Sequence, residues 1–351
     1  MCQCRVRLKE AWLRPLWYPV YQHRTMLSCV GALLALLLTA CSTTGGSSGS
    51  SSASLSGGKA ISGKTILFEI QSTPSDSFFV PVVNGARAAA AITGLKLEIE
   101  YASNDDTTEV NQVRSAIARR VAAIAVTIPD SALNQTVCEA RAQGIPVVAF
   151  NINGASGEGA RCVQAFIGQD FVQSGMLIAQ RMIDDGLIKP GDHVFCPVES
   201  PTQVYAVERY AGVVQALKAI GASCEELGTG VDYAPARAKM VSYLLGHPNT
   251  SAIIALGHTP LDQAPAATEQ VHRKIPIGGF DITPDILQAI KSGVITATVD
   301  QQPYQQGFYA VMELALYLKY GLAPSSINTS NGALIDKSNV DQVLSLAGTY
   351  R

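Results

Sequence analysis

Residues 278–303 read GGFDITPDILQAIKSGVITATVDQQP and predict a strand, a loop, a helix and a second strand. An apolar run ends at Asp281, and a Thr-Pro-Asp turn then starts the helix. Gly293 stands where helices commonly end, and residues 294–299 are rich in β-branched side chains, which favour a strand. The stretch is therefore predicted to form a β-α-β unit.

Polar side chains follow both strands of this unit. Asp281 comes directly after the first strand, and Gln301 follows the second. In open α/β sheets, ligands bind beyond the carboxyl ends of the strands. A carboxylate and an amide at that edge are suited to a hydroxyl-rich ligand, because together they accept and donate hydrogen bonds. An alternative for Asp281 is that it only caps the helix that follows.

Strands and helices alternate along the whole segment from Lys64 to about Ile335, in two similar halves of about 100–130 residues each. This alternation predicts an α/β protein with parallel, doubly wound sheets. Two such halves imply two Rossmann-like lobes, with a cleft where the strand ends of both sheets face each other.

The N-terminal part predicts an export signal rather than a folded domain. The apolar run at 27–40 is too short to span a bilayer, which needs about 20 residues. It is followed by Cys41, and the sequence Leu-Thr-Ala-Cys resembles a bacterial lipobox. We therefore expect residues 1–40 to be a cleaved lipoprotein signal and Cys41 to carry the lipid. An ordinary signal peptide followed by a chance cysteine is the alternative.

Two further features belong to this part of the chain. Met26 is a possible true start, in which case residues 1–25 are over-annotated, although starting there leaves no positive charge before the apolar run. Residues 41–62 comprise the cysteine and a Ser/Gly-rich segment that is predicted to be a flexible tether.

Four cysteines remain beyond the signal and Cys41, an even number for an oxidising compartment. They allow three disulfide connectivities, and free buried thiols are a further alternative. If the two lobes fold independently, Cys138–Cys162 and Cys196–Cys224 are the pairs that stay within one lobe.

Several classes of function find no support in the sequence. The chain has 26 basic and 28 acidic residues, a balance that gives no sign of nucleic-acid binding. The sequence contains no Gly-x-Ser-x-Gly motif, no phosphate loop and no metal-spaced His or Cys pair. We therefore predict no catalytic set, no cofactor and no metal, and hence not an enzyme.

The segment from Lys64 to Gly332 resembles the type I periplasmic binding proteins of the ribose/galactose-binding cluster. Four landmarks together carry the resemblance: Phe78-Phe79, residues 145–148 (IPVV), residues 278–281 (GGFD) and residues 297–303 (ATVDQQP). The resemblance implies two lobes that close about a three-strand hinge near Gln169, Gln302 and Ala333. It places 63–168 plus 302–332 in the N-terminal lobe and 169–301 plus 333–351 in the C-terminal lobe.

The resemblance also implies a set of ligand-binding residues. In such receptors aromatic rings stack on the sugar, while polar and charged side chains bind its hydroxyl groups. The corresponding positions here are Asp76, Phe78, Phe79, Asn151, Arg209, Tyr233, Asp281 and Gln301. The alternatives are that the phenylalanines only pack the core, that Asn151 holds a turn, and that Arg209 and Tyr233 are surface residues.

Three positions depart from the family pattern. Asn151-Ile152 stands in place of an Asp-Arg pair, Ile128 replaces an asparagine, and Gly257-His258 replaces an Asn-Asp pair. The site predicted here is therefore less polar than a ribose site. A deoxy sugar, a polyol, an autoinducer-like furanose or a more apolar ligand remains open.

The function that the resemblance implies is that of a lipid-anchored solute-binding protein of an ABC importer. Its expected partners are a sugar or polyol and a membrane permease, and it is expected to be an exported monomer in the periplasm or cell envelope. One alternative is a sensory or chemotaxis receptor component. Another is a receptor for a nonsugar such as a nucleoside.

Overall fold

A computed structural model describes residues 57–330 and 333–351. The predicted signal, the lipid site Cys41 and most of the predicted tether lie outside the described residues. Two six-stranded sheets organise the described chain, each flanked by helices, and we call each sheet with its helices a lobe. The predicted fold class, α/β with two doubly wound lobes, is confirmed.

The strands of the first sheet are numbered in chain order and are all parallel. They are β1 (Thr65–Ile70), β2 (Lys96–Tyr101), β3 (Ala123–Ile128), β4 (Val147–Asn153), β5 (Phe166–Gly168) and β11 (Ile327–Asn328). Their spatial order is β11-β5-β4-β3-β1-β2. The helices of this lobe are α1 (Phe79–Thr93), α2 (Asp106–Ala118), α3 (Asn134–Ala142), α4 (Gly157–Cys162) and α10 (Pro303–Tyr320).

The second sheet has the order β12-β10-β9-β8-β6-β7. Its strands are β6 (His193–Val198), β7 (Ser223–Gly228), β8 (Thr250–Ala255), β9 (Ile277–Phe280), β10 (Ala297–Val299) and β12 (Leu334–Asp336). Its helices are α5 (Phe171–Asp184), α6 (Val204–Lys218), α7 (Tyr233–Gly246), α8 (His258–Gln270), α9 (Pro284–Ser292) and α11 (Val340–Val343). The chain passes between the sheets after β5, β10 and β11.

Two differences from the predicted elements concern β12 and β5. First, β12 runs antiparallel to β10, because it enters from the other lobe without a crossover helix. Second, residues 162–168, for which the sequence predicts a strand, form β5 only from Phe166 onward. Cys162 is the last residue of α4, and residues 163–165 belong to no helix or strand. The loop before α4 is held by Asn134, whose side-chain oxygen accepts from the Ser156 N–H at 3.1 Å.

The opening β-α-β unit has the predicted order of elements, but its second strand, predicted over residues 294–299, is formed only by Ala297–Val299. Thr283 caps α9 by accepting from the Ile286 N–H at 3.1 Å, and Gly293 ends the helix with φ of 83°. β9 and β10 pair side by side in parallel, so Asp281 and Gln301 emerge at the same edge of the sheet.

Both lobes contain a disulfide. Cys138 on α3 pairs with Cys162 at the end of α4, with Cα atoms 5.0 Å apart. Cys196 on β6 pairs with Cys224 on β7 across the second sheet, with Cα atoms 6.0 Å apart. Each bridge therefore closes a short loop within one lobe.

Glycines let helices approach closely beside the inter-lobe cleft. A Cβ at Gly212 on α6 would overlap the Val172 carbonyl oxygen on α5, and one at Gly175 would overlap the carbonyl oxygen of Arg209. The backbones of α5 and α6 thus pack against each other directly at the level of Arg209.

Replacing Gly212 by alanine should lower the free energy of unfolding by about 1–3 kcal/mol, because α6 must move away from α5. The matched control is Gly246→Ala at the end of α7, where a new Cβ meets no described atom within 4 Å. Urea denaturation of both variants checks the prediction, and equal midpoints would contradict it.

A pair of acidic side chains is buried in the core of the N-terminal lobe. Glu69 on β1 and Glu109 on α2 are both almost fully inaccessible to solvent. Among the described residues, neither oxygen of Glu69 has a hydrogen-bond partner, and Glu109 accepts only a long bond of 3.5 Å from Thr127. Burial raises the pKa of Glu109 to about 7. Burial and the neighbouring Glu109 raise the pKa of Glu69 well above its usual range.

This pair should make stability depend on pH. An unfolded glutamate loses its proton near pH 4.5, whereas folded Glu109 keeps its proton up to about pH 7. The folded state binds more protons in that window, so stability falls as pH rises from about 5 to 8. Glu109→Gln should make this fall in the free energy of unfolding smaller, by roughly 3 kcal/mol at most. Denaturation midpoints across pH measure it, with exposed Glu158→Gln as the control; parallel curves for wild type and Glu109→Gln would contradict it.

Candidate functional site

A cavity of about 240 Å³ lies between the two lobes. Residues at or just after the carboxyl ends of strands form much of its wall, from both sheets. Seven of the eight predicted site residues border this cavity: Asp76, Phe78, Phe79, Asn151, Arg209, Asp281 and Gln301. The structure therefore brings together side chains that lie as far apart in sequence as 76 and 301.

Tyr233 is the predicted residue that the structure places elsewhere. It is the first residue of α7, and its side chain is turned toward α8, where its hydroxyl donates to Asp262 Oδ2 at 2.9 Å. The residue is 46% exposed. Of the described site residues, it alone lies outside the cavity wall.

Arg209 on α6 is the central cation of the site and is only 1% exposed. Its Nε donates to Gln169 Oε1 at 2.9 Å, and its Nη1 donates to the Leu256 carbonyl at 2.7 Å. Nη1 also lies 3.6 Å from Asp281 Oδ2. Nη2 is buried and has no hydrogen-bond partner among the described residues.

Aromatic rings surround the same guanidinium. Its central carbon lies 4.2 Å from the ring centroid of Phe280, 5.2 Å from that of Tyr205 and 5.4 Å from that of Phe171. Cation–π attraction and hydrogen bonds therefore fix the Arg209 side chain in one position before a ligand arrives. Its free Nη2 is then a preoriented donor.

Asp281 and Gln301 form a hydrogen-bonded pair on the opening stretch. Gln301 Nε2 donates to Asp281 Oδ1 at 2.5 Å. Asp281 has φ of 72°, which lies in the left-handed region, and its backbone N–H donates to the Val299 carbonyl at 2.9 Å. Gln301 Oε1 is buried and has no partner among the described residues, so it is available to a ligand donor.

The N-terminal lobe supplies a carboxylate and two aromatic rings. Asp76 accepts from the Ser72 hydroxyl at 2.6 Å and from the Phe78 N–H at 3.0 Å. The rings of Phe78 and Phe79 lie edge to face, with centroids 5.2 Å apart. Phe79 is 4% exposed and also belongs to the core, so Phe78 offers more of its ring to the cavity.

Asn151 occupies the neighbouring strand end. Its φ is 62°, and its Nδ2 donates to Gln306 Oε1 at 3.2 Å. It is about one tenth exposed and borders the cavity beside Ile152.

Sequence reasoning missed several residues of the cavity wall. Among them are Gln71, Asn104, Phe171, Glu199 and Tyr205, whereas Gly257 and His258, which stand in place of the family's Asn-Asp pair, also border the cavity. Gln71 and Glu199 directly follow β1 and β6, so the strand-end rule that selected Asp281 would also have selected them. Tyr205 and Phe171 lie in the first turns of helices and carry no such signal.

Glu199 is the centre of a second polar cluster in the C-terminal lobe. Its Oε2 accepts from the Tyr205 hydroxyl at 3.0 Å, and its Oε1 accepts from the Thr259 N–H at 2.9 Å. His258 Nδ1 lies 3.6 Å from Oε1. Burial, and after it the charge of Glu199, raises the pKa of Tyr205, so the phenol keeps its proton and donates it.

The described residues offer neither a metal-binding cluster nor a membrane-spanning helix. Within residues 57–330 and 333–351, no group of three or more His, Cys, Asp or Glu side chains is placed to hold a metal ion. Over the same residues, no helix combines the length and the apolar character needed to cross a membrane.

These features define a class of protein. Two α/β lobes enclose a cleft that holds aromatic rings, a fixed guanidinium, carboxylates and the amide oxygen of Gln301, which has no hydrogen-bond partner among the described residues. Such a site is suited to reversible binding of a small polar ligand.

Comparison with known proteins identifies the family. Residues 69–322 match the family described as periplasmic binding protein domain, and the chain belongs to that family. The resemblance to type I sugar-binding proteins is thereby confirmed.

Curated relatives of this chain bind pentoses. The xylose/arabinose-binding protein XylF of Sulfolobus acidocaldarius is 28% identical over 301 residues, which cover 80% of this chain and 73% of that protein. The ribose import binding protein RbsB of Bacillus subtilis is 27% identical over 277 residues, which cover 79% and 87% respectively.

A similar solved structure holds a cyclitol. A carbohydrate transporter from Acidothermus cellulolyticus 11B in complex with myo-inositol superimposes with a TM-score of 0.72 at 30% identity. The match covers 82% of this chain and 98% of that one.

Proposed function

We propose that this protein is the solute-binding component of an ABC importer and that it takes a small polyhydroxylated ring, a sugar or a cyclitol, into the cleft between its lobes. The observation that carries the proposal is a pair of buried atoms in the cavity wall, Arg209 Nη2 and Gln301 Oε1, that have no hydrogen-bond partner within the described part of the chain. A hydroxyl group both accepts and donates, so adjacent hydroxyls on one ring satisfy both atoms. The relatives that bind pentoses and the neighbour that holds myo-inositol support the same class.

The aromatic and aliphatic parts of the wall suit the C–H faces of such a ring. Phe78 lies on one side, and the carbon skeleton of the ligand would stack against it. Ile152 and Gly257 stand at positions that offer no side-chain hydrogen bond, so fewer ligand hydroxyls are bound by side chains there. This favours a ring with part of its edge unsubstituted or facing solvent.

Binding would be coupled to closure of the lobes. We assign 63–168 plus 302–332 to one lobe and 169–301 plus 333–351 to the other, with hinge segments near Gln169, Gln302 and Ala333. The composition of the two sheets supports this division. Closure would present a surface made of both lobes to a membrane permease.

A panel of pure compounds tests the proposal. Pentoses, hexoses, cyclitols, linear polyols, nucleosides and apolar metabolites would each be added to the purified protein in a thermal unfolding assay, followed by calorimetric titration of those that raise the melting temperature. A compound at 100 times its Kd should stabilise the protein by about 2.7 kcal/mol, which is a rise of several degrees. If nucleosides or apolar compounds stabilise the protein and no sugar or cyclitol does, the proposal is wrong.

The anchor and the location are also part of the proposal. We infer that the chain is exported, cleaved before Cys41 and held at the membrane by acyl chains on that residue, which keeps the receptor near its permease. The lipobox-like sequence supports this. Labelling of cells with a palmitate analogue should mark the wild-type protein and not Cys41→Ser, and the substituted protein should leave the membrane fraction. Equal labelling of the two would overturn it.

A further inference from the structure

The cavity wall carries more negative than positive charge. Three carboxylates border it, those of Asp76, Glu199 and Asp281, against one guanidinium, that of Arg209. Counting His258 as neutral, the wall has a net charge of −2. Arg209 lies next to Asp281, with 3.6 Å between Nη1 and Oδ2, so these two charges compensate each other.

The other two carboxylates accept hydrogen bonds from neutral donors. Asp76 is bound by a serine hydroxyl and a backbone N–H. Glu199 is bound by a tyrosine hydroxyl and a backbone N–H. Among the described residues, neither forms an ion pair with a lysine or arginine, and the imidazole of His258 is the one basic side chain near Glu199. Glu199 is 8% exposed, so its charge is poorly solvated.

The unpartnered atoms of the wall also favour a ligand that is rich in hydrogen-bond donors. Gln71 Oε1 and Gln301 Oε1 are two free acceptors, whereas Arg209 Nη2 is one free donor, all within the described residues. Gln301 is 7% exposed and borders the cavity, so its free oxygen marks a place where a ligand donor belongs. A hydroxyl group offers one proton, but an ammonium group offers three donors and no acceptor.

We propose that the preferred ligand is an aminated ring, an amino sugar or an aminocyclitol, whose protonated amine lies against Glu199. This rests on the proposed function, since it specifies the ligand of the same cleft. The ammonium compensates the buried carboxylate, while the hydroxyl groups of the ring bind Arg209 and Gln301. A charge-assisted hydrogen bond is stronger than the bond a neutral hydroxyl makes to the same carboxylate.

Matched ligand pairs test this. Calorimetric titrations at pH 7 and 150 mM salt compare glucosamine with glucose, galactosamine with galactose, and scyllo-inosamine with scyllo-inositol. In at least one pair the amine should bind tenfold or more tightly than its hydroxyl parent, and its N-acetyl derivative, which has no charge, should lose that advantage.

Substitutions test whether Glu199 causes the preference for the amine. Glu199→Gln keeps the size and the acceptor oxygen, and it should reduce the preference for the amine at least tenfold. Glu225→Gln, which removes a carboxylate of the same lobe outside the cavity, should keep the preference. If Glu199→Gln fails to fold, Glu199→Asp repeats the test: the shorter side chain draws the carboxylate back from the amine and should also reduce the preference, and an unchanged preference in that folded variant overturns the proposal.

The outcomes separate this inference from the proposed function. Equal or tighter binding of the neutral parent in every pair overturns the aminated ligand and leaves the sugar receptor standing. An amine preference that survives Glu199→Gln in a folded protein overturns the role of Glu199. Failure of amines and neutral rings alike, when a nucleoside or an apolar compound binds, overturns both.

Discussion

Arg209→Lys should weaken ligand binding roughly thirtyfold, or about 2 kcal/mol, with the protein still folded. Lysine keeps the charge but has neither the planar fork nor the five donors of the guanidinium. It cannot bind Gln169, the Leu256 carbonyl and a ligand at once in the directions that Arg209 does. Titration calorimetry with the tightest compound of the ligand panel measures the loss.

Arg273→Lys is the matched control for this prediction. Arg273 donates to four backbone carbonyl oxygens around the end of α7, so it also loses a fork of hydrogen bonds, but it lies outside the cavity. It should lower stability and leave Kd unchanged. If the two variants change Kd equally, or if Arg209→Lys binds as wild type, then Nη2 of Arg209 is not a ligand donor.

The position of Arg209 also shows what sequence could and could not predict. Its place on a helix facing the cleft followed from the family pattern and from the alternation of strands and helices. The ring of aromatic side chains around it did not, because Phe171 and Tyr205 lie on two helices whose relative distance depends on Gly175 and Gly212. Close backbone packing of this kind has no signature in local sequence pattern.

Strand ends were the most informative signal for the cavity. The rule that ligands lie beyond the carboxyl ends of parallel strands placed Asp281 and Gln301 correctly at the cavity, and the same rule covers Glu199 and Gln71, which were overlooked. Tyr233 shows where the rule stops. It follows β7 at a distance of five residues, and the first turn of α7 directs its hydroxyl to Asp262 instead.

Backbone conformation was the part that the sequence did not reveal. Asn151 and Asp281 both have positive φ, which turns each side chain out of the regular alternation of its strand. Asparagine and aspartate tolerate this region better than most residues, but their presence does not require it. The direction of these two side chains therefore became known only from the structure.

Loss of the buried ion pair at the hinge should lower the free energy of unfolding by more than the other substitutions do. Asp300 immediately follows β10, is fully buried, and is paired with the guanidinium of Arg351. The same carboxylate accepts from the Gln302 N–H at 2.8 Å. The backbone carbonyl of Asp300 accepts from the Ser330 hydroxyl at 2.9 Å, so two of the three crossings between the lobes meet here.

Arg351 belongs to a segment that also contacts the N-terminal lobe. The Thr349 carbonyl accepts from Asn84 Nδ2 on α1 at 3.1 Å, and the ring of Tyr350 lies 5.3 Å from that of Tyr304 on α10. The segment thus connects the hinge to two helices of that lobe. Burial raises the pKa of Asp300, and the charge of Arg351 opposes that rise.

Arg351→Ala should therefore lower the free energy of unfolding by about 3–5 kcal/mol near neutral pH, because it leaves Asp300 charged, buried and without its partner cation. Without Arg351, the pKa of Asp300 in the folded variant lies further above the pKa of an unfolded aspartate. The folded variant then binds more protons than its unfolded chain, so its loss of stability relative to wild type grows as pH rises. Asp300→Asn in the same background removes the charge and should recover most of the loss. Lys291→Ala, which breaks the exposed pair with Asp341, should cost less than about 1 kcal/mol. Urea denaturation at several pH values compares the four proteins, and equal losses for Arg351→Ala and Lys291→Ala would show that the hinge carboxylate does not depend on Arg351.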